Sequence, residues 1–339
     1  MRKLLLSLLL IIILNGCNLT EPAQNLPVPI PDAKLITPQQ DYINETQVQI
    51  NPSATRIYYI ESRMGQPDLK GIAWQDIDSI ERHIILPISY NRYLCSLQLS
   101  ANESYLAYLN GEMDSDMYLR IFKVGINDHE VKQLTHVDSS SPYISPDGNW
   151  IAFWGDYSQN GIGNIYIMTP VGDIDGPVYQ VTHDQYAVPQ NPQDQPIGVE
   201  ASIPLCWLSN HELVVKTIID WLQTGPVWNI YLYDINDLSA PPRYLYTVQG
   251  NNALGYSQCI SPNQGWYLFS PVTDWNYDHI HQAPIGVPNN YGTTITYGED
   301  QDIPGGVAAN GTTVVFVRQY KFGSEFLTGE YDVYLMNLD

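Results

Sequence analysis

Positive charge is scarce in this chain. Its 339 residues hold 15 Lys+Arg against 36 Asp+Glu, a formal net charge of −21. Nucleic acid and anionic lipid headgroups are both bound largely through Lys and Arg, so neither is expected as a partner. A neutral or cationic partner, or one reached through metal ions, fits better. The commonest catalytic signatures are also missing. There is no Gly-x-Ser-x-Gly elbow, no Gly-rich phosphate loop and no Cys-x-x-Cys pair. The nearest string to an elbow, Gly255-Tyr256-Ser257-Gln258-Cys259, lacks the second Gly and reads as the start of a strand. Cysteine is sparse, with four in all. One long apolar run exists, and it spans only Leu4 to Leu14. A helix of that length cannot cross about 30 Å of hydrocarbon, so a permanent transmembrane anchor is excluded there.

What is present begins with that run. Arg2 and Lys3 precede it and Leu14-Asn15-Gly16-Cys17 ends it. A basic n-region, a short apolar h-region and a small residue mark a secretory signal. The last four residues resemble a bacterial lipobox, in which the Cys is acylated and becomes the new N-terminus. That resemblance makes residues 1–16 a lipoprotein signal peptide and Cys17 the lipid attachment site. An ordinary secretory signal with an incidental Cys is the alternative. Loss of residues 1–16 removes two cations and no acids, leaving 13 Lys+Arg against 36 Asp+Glu, or −23. Residues 17–32 contain Pro22, Pro27, Pro29 and Pro31 and read as a semi-extended tether. Asn18 follows the Cys where lipoproteins retained at the inner membrane often carry Asp. The expected location is therefore the bacterial cell envelope, at the outer membrane, with the lipid as the sole membrane contact.

Residues 33–339 carry an internal repeat. With 44% hydrophobic residues, 25 Tyr and 8 Trp, the composition supports a large core and favours strands. The clearest copy is an apolar strand running into Ser145-Pro146-Asp147-Gly148, then Ile151-Ala152-Phe153, Asn164-Ile165-Tyr166-Ile167-Met168 and Tyr179-Gln180-Val181-Thr182. Pro and Asp-Gly are suited to a tight turn between the first two strands. Equivalent turns start at Asn51, Ser100, Ser209, Ser261 and Ala309, so successive starts lie 49, 45, 64, 52 and 48 residues apart. Four short strands per unit and six units predict an all-β, six-bladed β-propeller. The sixth unit shows three strands before Asp339. Lys34-Leu35-Ile36-Thr37 matches Lys132-Gln133-Leu134-Thr135 and Gln180-Val181-Thr182. This N-terminal strand is therefore expected to pair into the last blade and close the ring, a single copy forming the whole ring as a monomer.

The Ser145-Pro146-Asp147-Gly148 turn, the Asn164–Met168 strand and Gln180-Val181-Thr182 together resemble the WD40-like PD40 repeat of the TolB family. The resemblance is close in the third unit, partial in the second (Leu134-Thr135) and fifth (Ser261-Pro262), and degenerate elsewhere. It implies a binding scaffold for an envelope protein, a peptide or a glycan rather than an enzyme. The N-terminal α/β domain of TolB has no counterpart in this sequence.

Candidate site residues follow from the propeller geometry. Connections between strands two and three, and between strands four and one, emerge on one face. That face is expected to collect Asp114, Asp116, Asp156, Asp220, Trp221, Trp275, Asp278 and Asp300 in loops. The third unit adds a long insertion, Asp184 to Ile203. Acidic and aromatic loops at a channel mouth suit a peptide, a glycan or a cationic protein patch. His279 and His281, two apart, are expected to face one side of a strand beside Asp278 and are candidate transition-metal ligands. Two ordinary sheet-face histidines are the bland alternative. Asp114-Ser115-Asp116 and Asp300-Gln301-Asp302 offer loop oxygens for Ca²⁺, although a solvated acidic turn explains them more simply. No cofactor is otherwise expected. Metal-dependent propeller lyases of pectic sugars carry histidines around the channel, which supplies the second functional reading, a polysaccharide lyase or hydrolase. Beyond Cys17, the odd set Cys95, Cys206 and Cys259 allows at most one disulfide. Cys206 and Cys259 precede the turn in neighbouring units and read first as small buried apolar residues.

Overall fold

The computed structural model describes residues 33–37, 43–63, 66–89, 94–111, 118–158, 163–172, 174–184, 201–222, 225–249, 259–261, 265–270, 272–273, 276–277, 279–284, 292–298, 300–322 and 325–338. They form six four-stranded antiparallel sheets arranged as propeller blades. The first element is a short strand, β1 (Ala33–Leu35). Blade 1 follows as β2 (Ile43–Ile50), β3 (Arg56–Arg63), β4 (Gln66–Asp76) and β5 (His83–Ser89). Blade 2 is β6 (Cys95–Leu99), β7 (Tyr105–Gly111), β8 (Leu119–Gly125) and β9 (Val131–Gln133). Blade 3 is β10 (Ser139–Ile144), β11 (Ile151–Gly155), β12 (Asn164–Met168) and β13 (Val178–Gln180). Blade 4 is β14 (Ala201–Trp207), β15 (Glu212–Leu222), β16 (Gly225–Asp234) and β17 (Arg243–Gln249). Blade 5 has β18 (Cys259–Ser261) and β19 (Trp266–Phe269), a small hairpin of β20 (Val272–Thr273) with β21 (Asn276–Tyr277), then β22 (His281–Pro284) and β23 (Thr293–Thr294). Blade 6 contains β24 (Gln301–Val307), β25 (Thr313–Phe322) and β26 (Glu325–Asn337), with β1 as its fourth strand.

The second strand of a blade is covered on both faces by neighbouring blades. It therefore reads as a continuous apolar run rather than an alternating one. Tyr58-Tyr59-Ile60 in β3, Leu106-Ala107-Tyr108-Leu109 in β7 and Val314-Val315-Phe316-Val317 in β25 are all buried. The buried residues sort into six apolar clusters, one at each junction between successive blades. The junction of blades 6 and 1 is built like the rest, from Val48, Ile57 and Tyr59 against Val315, Val317 and Val333. There the inner strands approach so closely that a Cβ on Gly305 would lie 2.3 Å from Val48 Cγ1. Gln49 Nε2 donates to the Gly305 carbonyl at 2.7 Å across the same seam.

Two local devices repeat. In the turn after the first strand, a polar side chain accepts backbone amides. Ser145 Oγ accepts Trp150 N at 3.0 Å, Ser100 Oγ accepts Tyr105 N at 3.0 Å and Asn51 Oδ1 accepts Arg56 N at 2.9 Å. The fourth turn residue has positive φ: 74° at Gly148, 53° at Glu103 and 55° at Ala54. Blade 6 begins this turn at Ala308, whose N donates to Thr313 O, one residue before the Ala309 start read from the sequence. The second device is a buried Thr just past the fourth strand. Its hydroxyl accepts an amide in the third strand or, in blade 5, from the residue just before it: Ile121 to Thr135, Ile165 to Thr182, Ile280 to Thr296 and Val333 to Thr37, at 2.8 to 2.9 Å. Thr37 belongs to that set, and β1 pairs Ala33, Lys34 and Leu35 with Met336, Leu335 and Tyr334. The N-terminal strand thus completes blade 6, as the sequence pattern requires. Five inner strands, β2, β6, β10, β14 and β24, carry a register shift against their neighbours. Such bulges add local twist and bend the strand that carries them.

Candidate functional site

The face carrying the connections from second to third strands, here the upper face, is uneven. On blades 4 and 6 the central hairpins run past their inner strands. β14 begins opposite Ile218, yet β15 and β16 stay paired out to Leu222 and Gly225. β24 begins opposite Gln319, yet β25 and β26 pair out to Phe322 and Glu325. Each hairpin shifts register as it leaves the sheet, at Ile218/Asp220 and at Gln319/Lys321. Blade 5, between them, holds the extra hairpin β20–β21 at the same point. Among the described residues, three consecutive blades thus carry lengthened or additional hairpins on this face, which together are called its wall.

The expected site residues distribute unevenly over this face. The sequence pattern puts Asp220 and Trp221 in a loop. They lie instead on β15, opposite Val227 and Pro226 near the hairpin tip, because the strand continues beyond its blade. Asp156 follows β11, its amide bonded to Asp138 O at 3.1 Å and its Oδ1 accepting Ser158 Oγ at 2.9 Å. Burial raises the neighbouring Asp138 carboxyl, and Asp156 adds to the effect. Asp114, Asp116, Trp275, Asp278 and Cys17 lie outside the described residues.

His279 and His281 are brought to opposite sides of blade 5. The His281 ring sits 5.5 Å from that of Phe269, in the core shared with blade 4. His279 Nδ1 lies 3.8 Å from Asp302 Oδ2 of blade 6. The reason is local: β22 starts only at His281, so His279 escapes strand alternation. Among the described residues no group of three or more His, Cys, Asp or Glu has metal-binding geometry.

Asp302 proves to be no solvated turn. It is the second residue of β24 and its side chain is fully buried. Arg318, itself buried, donates from Nε to Asp302 Oδ1 at 2.7 Å and from Nη2 to Oδ2 at 2.9 Å. Burial alone would raise the Asp302 carboxyl. The two-point grip of Arg318 outweighs it and holds the group below the usual carboxylate range. Asp300 Oδ2 stands 3.7 Å from Arg318 Nη1. Beside it, Tyr320 OH donates to Asp332 Oδ2 at 2.6 Å and meets Tyr334 OH at 2.7 Å. The sequence offered one signal for this cluster, a lone Arg ending the run Val314-Val315-Phe316-Val317. Cys206 is a free buried thiol in the core between blades 4 and 5, and Cys95 is free as well.

No protein-family model matches the chain, and no curated protein matches it either. Solved structures do. An oligogalacturonate lyase in complex with manganese is similar at a TM-score of 0.53 and 11% identity, over 89% of this chain and 78% of that one. The β-propeller domain of the Trilobed protease from Pyrococcus furiosus, with an open velcro topology, gives 0.54 and 10%, over 88% and 96%. TolB from Acinetobacter baumannii gives 0.47 and 14%, over 90% of this chain but 56% of that protein. This chain therefore spans little more than half the length of that TolB. At these identities the likeness shows the propeller fold.

Proposed function

We propose that this protein is a lipid-anchored, non-catalytic binding scaffold of the bacterial cell envelope. Cys17 carries the anchor, the outer membrane is its location, and the upper wall of blades 4 to 6 engages an envelope protein, a peptide or a glycan. The observation that carries this reading is the wall itself. Three adjacent blades lengthen their connections on one face, and the backbone of Asp220 and Trp221 pairs with that of Val227 and Pro226 near the tip of one of them. Aromatic anchors at such positions supply a disproportionate share of interface energy. The sequence pattern assigns Asp114, Asp116, Asp156, Asp220, Trp275 and Asp278 to the same face, and an acidic, aromatic face favours cationic or neutral surfaces over anionic ones. The Asp302–Arg318–His279 cluster motivates the second reading, a carbohydrate-active enzyme centred there, with His279 as its imidazole.

Two measurements test the scaffold. Mass spectrometry of the mature N-terminus should find Cys17 acylated, and Cys17→Ser should release the protein in soluble form. Trp221→Ala should weaken capture of an envelope partner by about 1–2 kcal/mol with little change in melting temperature. A loss of roughly 3–5 kcal/mol of stability instead would make Trp221 a core residue and remove the wall as the binding face.

A further inference from the structure

Among the described residues, four buried side-chain atoms at the upper ends of blades 6, 1 and 2 have no hydrogen-bond partner. Glu61, near the upper end of β3, is fully buried. Its Oε2 accepts Arg82 Nη1 at 3.0 Å, but its Oε1 is unmet. Gln301 opens β24 at the same end, is buried, and has an unmet Nε2. The others are Ser89 Oγ, at the last residue of β5, and Asn110 Oδ1, just before the end of β7. Leaving a buried donor or acceptor unsatisfied is costly, so each of these atoms calls for a partner.

The four atoms belong to two seams. Glu61 follows Ile57 and Tyr59 on the face of β3 turned to blade 6. Gln301 lies on the face of blade 6 turned to blade 1, because Ile303, the next residue but one, pairs with Val317 of the shared cluster. Asn110 follows Leu106 and Tyr108 on the face of β7 turned to blade 1. Ser89 pairs with Lys70, which shares a face with Ile72, in that same seam of blades 1 and 2. Lower down, both seams are tied. Asn51 Nδ2 and Tyr58 OH donate to the two oxygens of Glu103 at 3.0 and 2.9 Å, and Gln49 Nε2 donates to Gly305 O. Among the described residues, the unmet atoms of these two seams thus all lie toward the upper face.

The chemistry of the set selects its ligand. Three of the four atoms are oxygens and need donors, while Gln301 Nε2 needs an acceptor. A hydroxyl is the smallest group that supplies both. Charge is already balanced. Arg82 meets Glu61, and Lys70, whose Nζ donates to Leu94 O at 3.1 Å, is offset by the exposed Asp68. An added cation would meet Arg82 and Lys70, and an added anion would meet the unmet oxygens. Burial raises the Glu61 carboxyl despite Arg82, and a hydroxyl serves either protonation state of it. An extended peptide binds along a sheet edge, whereas these atoms lie at strand ends. The two seams flank one sheet, so a chain of several sugar units crossing the upper end of blade 1 meets both. We propose that the upper ends of blades 6, 1 and 2 form a binding site for an uncharged oligosaccharide, one that does not rest on the wall of blades 4 to 6. Ligand hydroxyls donate to Glu61 Oε1, Asn110 Oδ1 and Ser89 Oγ and accept from Gln301 Nε2.

The test is thermal melting and calorimetric titration of the full chain with maltotetraose, cellotetraose and chitotetraose, alongside tetragalacturonate and tetraglycine. At least one neutral sugar should raise the melt by a few degrees, and neither tetragalacturonate nor tetraglycine should match it. Asn110→Leu removes an unmet oxygen. It should leave the melt of the free protein unchanged or higher, while weakening the sugar by roughly five- to tenfold. Ser89→Ala should act in the same direction, and it decides if Asn110→Leu does not fold. No shift with any of the three neutral sugars would overturn the proposal. So would a larger shift with tetragalacturonate or tetraglycine, which would make the ligand an anion or a peptide. A lower melt for both free variants would overturn it too, because internal water would then hold these oxygens as part of the fold.

Discussion

The hydroxyl of Thr37 accepts the amide of Val333 at 2.9 Å, joining residues 296 apart in sequence. The bond is the counterpart of three others made within single blades, so the ring is closed by the same device that finishes an ordinary blade. Thr37 is buried, and Ile36 N donates to Val333 O beside it. Thr37→Val keeps the shape and strands the Val333 amide without an acceptor. The expected cost is about 1–3 kcal/mol. Thr37→Ser should recover most of it. Deleting residues 32–38 should destabilise the whole domain, while deleting 18–30 should leave the melt unchanged. Equal melting of the two truncations would reject closure by β1.

Much of this architecture is readable because the repeat writes it in side-chain chemistry. A Thr after an apolar residue marks the end of a fourth strand, and Lys34 to Thr37 carries that mark before any first strand has appeared. The polar residue opening each Ser-Pro-Asp-Gly-like turn has a backbone job, so it recurs. In blade 6 the opening residue is Ala308 and Asn310 takes over the bonding, accepting Thr312 and Thr313 amides at 3.0 Å. The turn start there reads one residue late. The candidate site is less legible. Asp302 reads as part of an acidic loop because its partner, Arg318, comes 16 residues later on the next strand. His279 and His281 read as co-facial only if one strand holds both, and β22 starts two residues too late for that. Asp220 and Trp221 read as loop residues because nothing in composition says how far a hairpin outruns its sheet.

A second prediction concerns Lys216, on β15 between Val214 and Ile218. Its Nζ lies 4.6 Å from the Trp228 ring centroid, on the face turned to blade 5. Burial in this apolar seam lowers its ammonium from the ordinary 10.5 to about 8. Between those values the unfolded chain binds more protons than the folded one, so this group makes stability rise with pH. Lys216→Met keeps the aliphatic stem and removes the titration. The wild-type melting temperature minus that of the Lys216→Met variant, taken from pH 7 to 10, should therefore climb with pH. A flat difference would mean that the ammonium keeps its water.

The last prediction separates a structural from a chemical role for the Arg318–Asp302 pair. Its two hydrogen bonds, at 2.7 and 2.9 Å, hold both charges away from solvent. Removing one partner takes from the other its two-point hydrogen bonding in a buried place, so Arg318→Met should cost about 3–5 kcal/mol, and Asp302→Leu, which leaves Arg318 with Asp300 at 3.7 Å, somewhat less. Removing both should cost less than the sum of the two, because neither member of the pair is left behind as a charge, and a double-mutant cycle reads the coupling directly. Arg318→Lys should fall short of rescue, since an ammonium cannot make the paired bonds of a guanidinium. The Asp302 carboxyl is held below its ordinary range, so the stability it contributes is present at neutral pH. It is lost as pH falls below about 4 toward the folded-state value. The double variant then divides the two functional readings. A scaffold that binds through the wall of blades 4 to 6 should keep both its fold and its partner when the pair becomes apolar. An enzyme centred on Asp302, Arg318 and His279 should keep its fold and lose turnover on acidic oligosaccharides. Turnover in the wild type that disappears in a well-folded double variant would reject the scaffold reading.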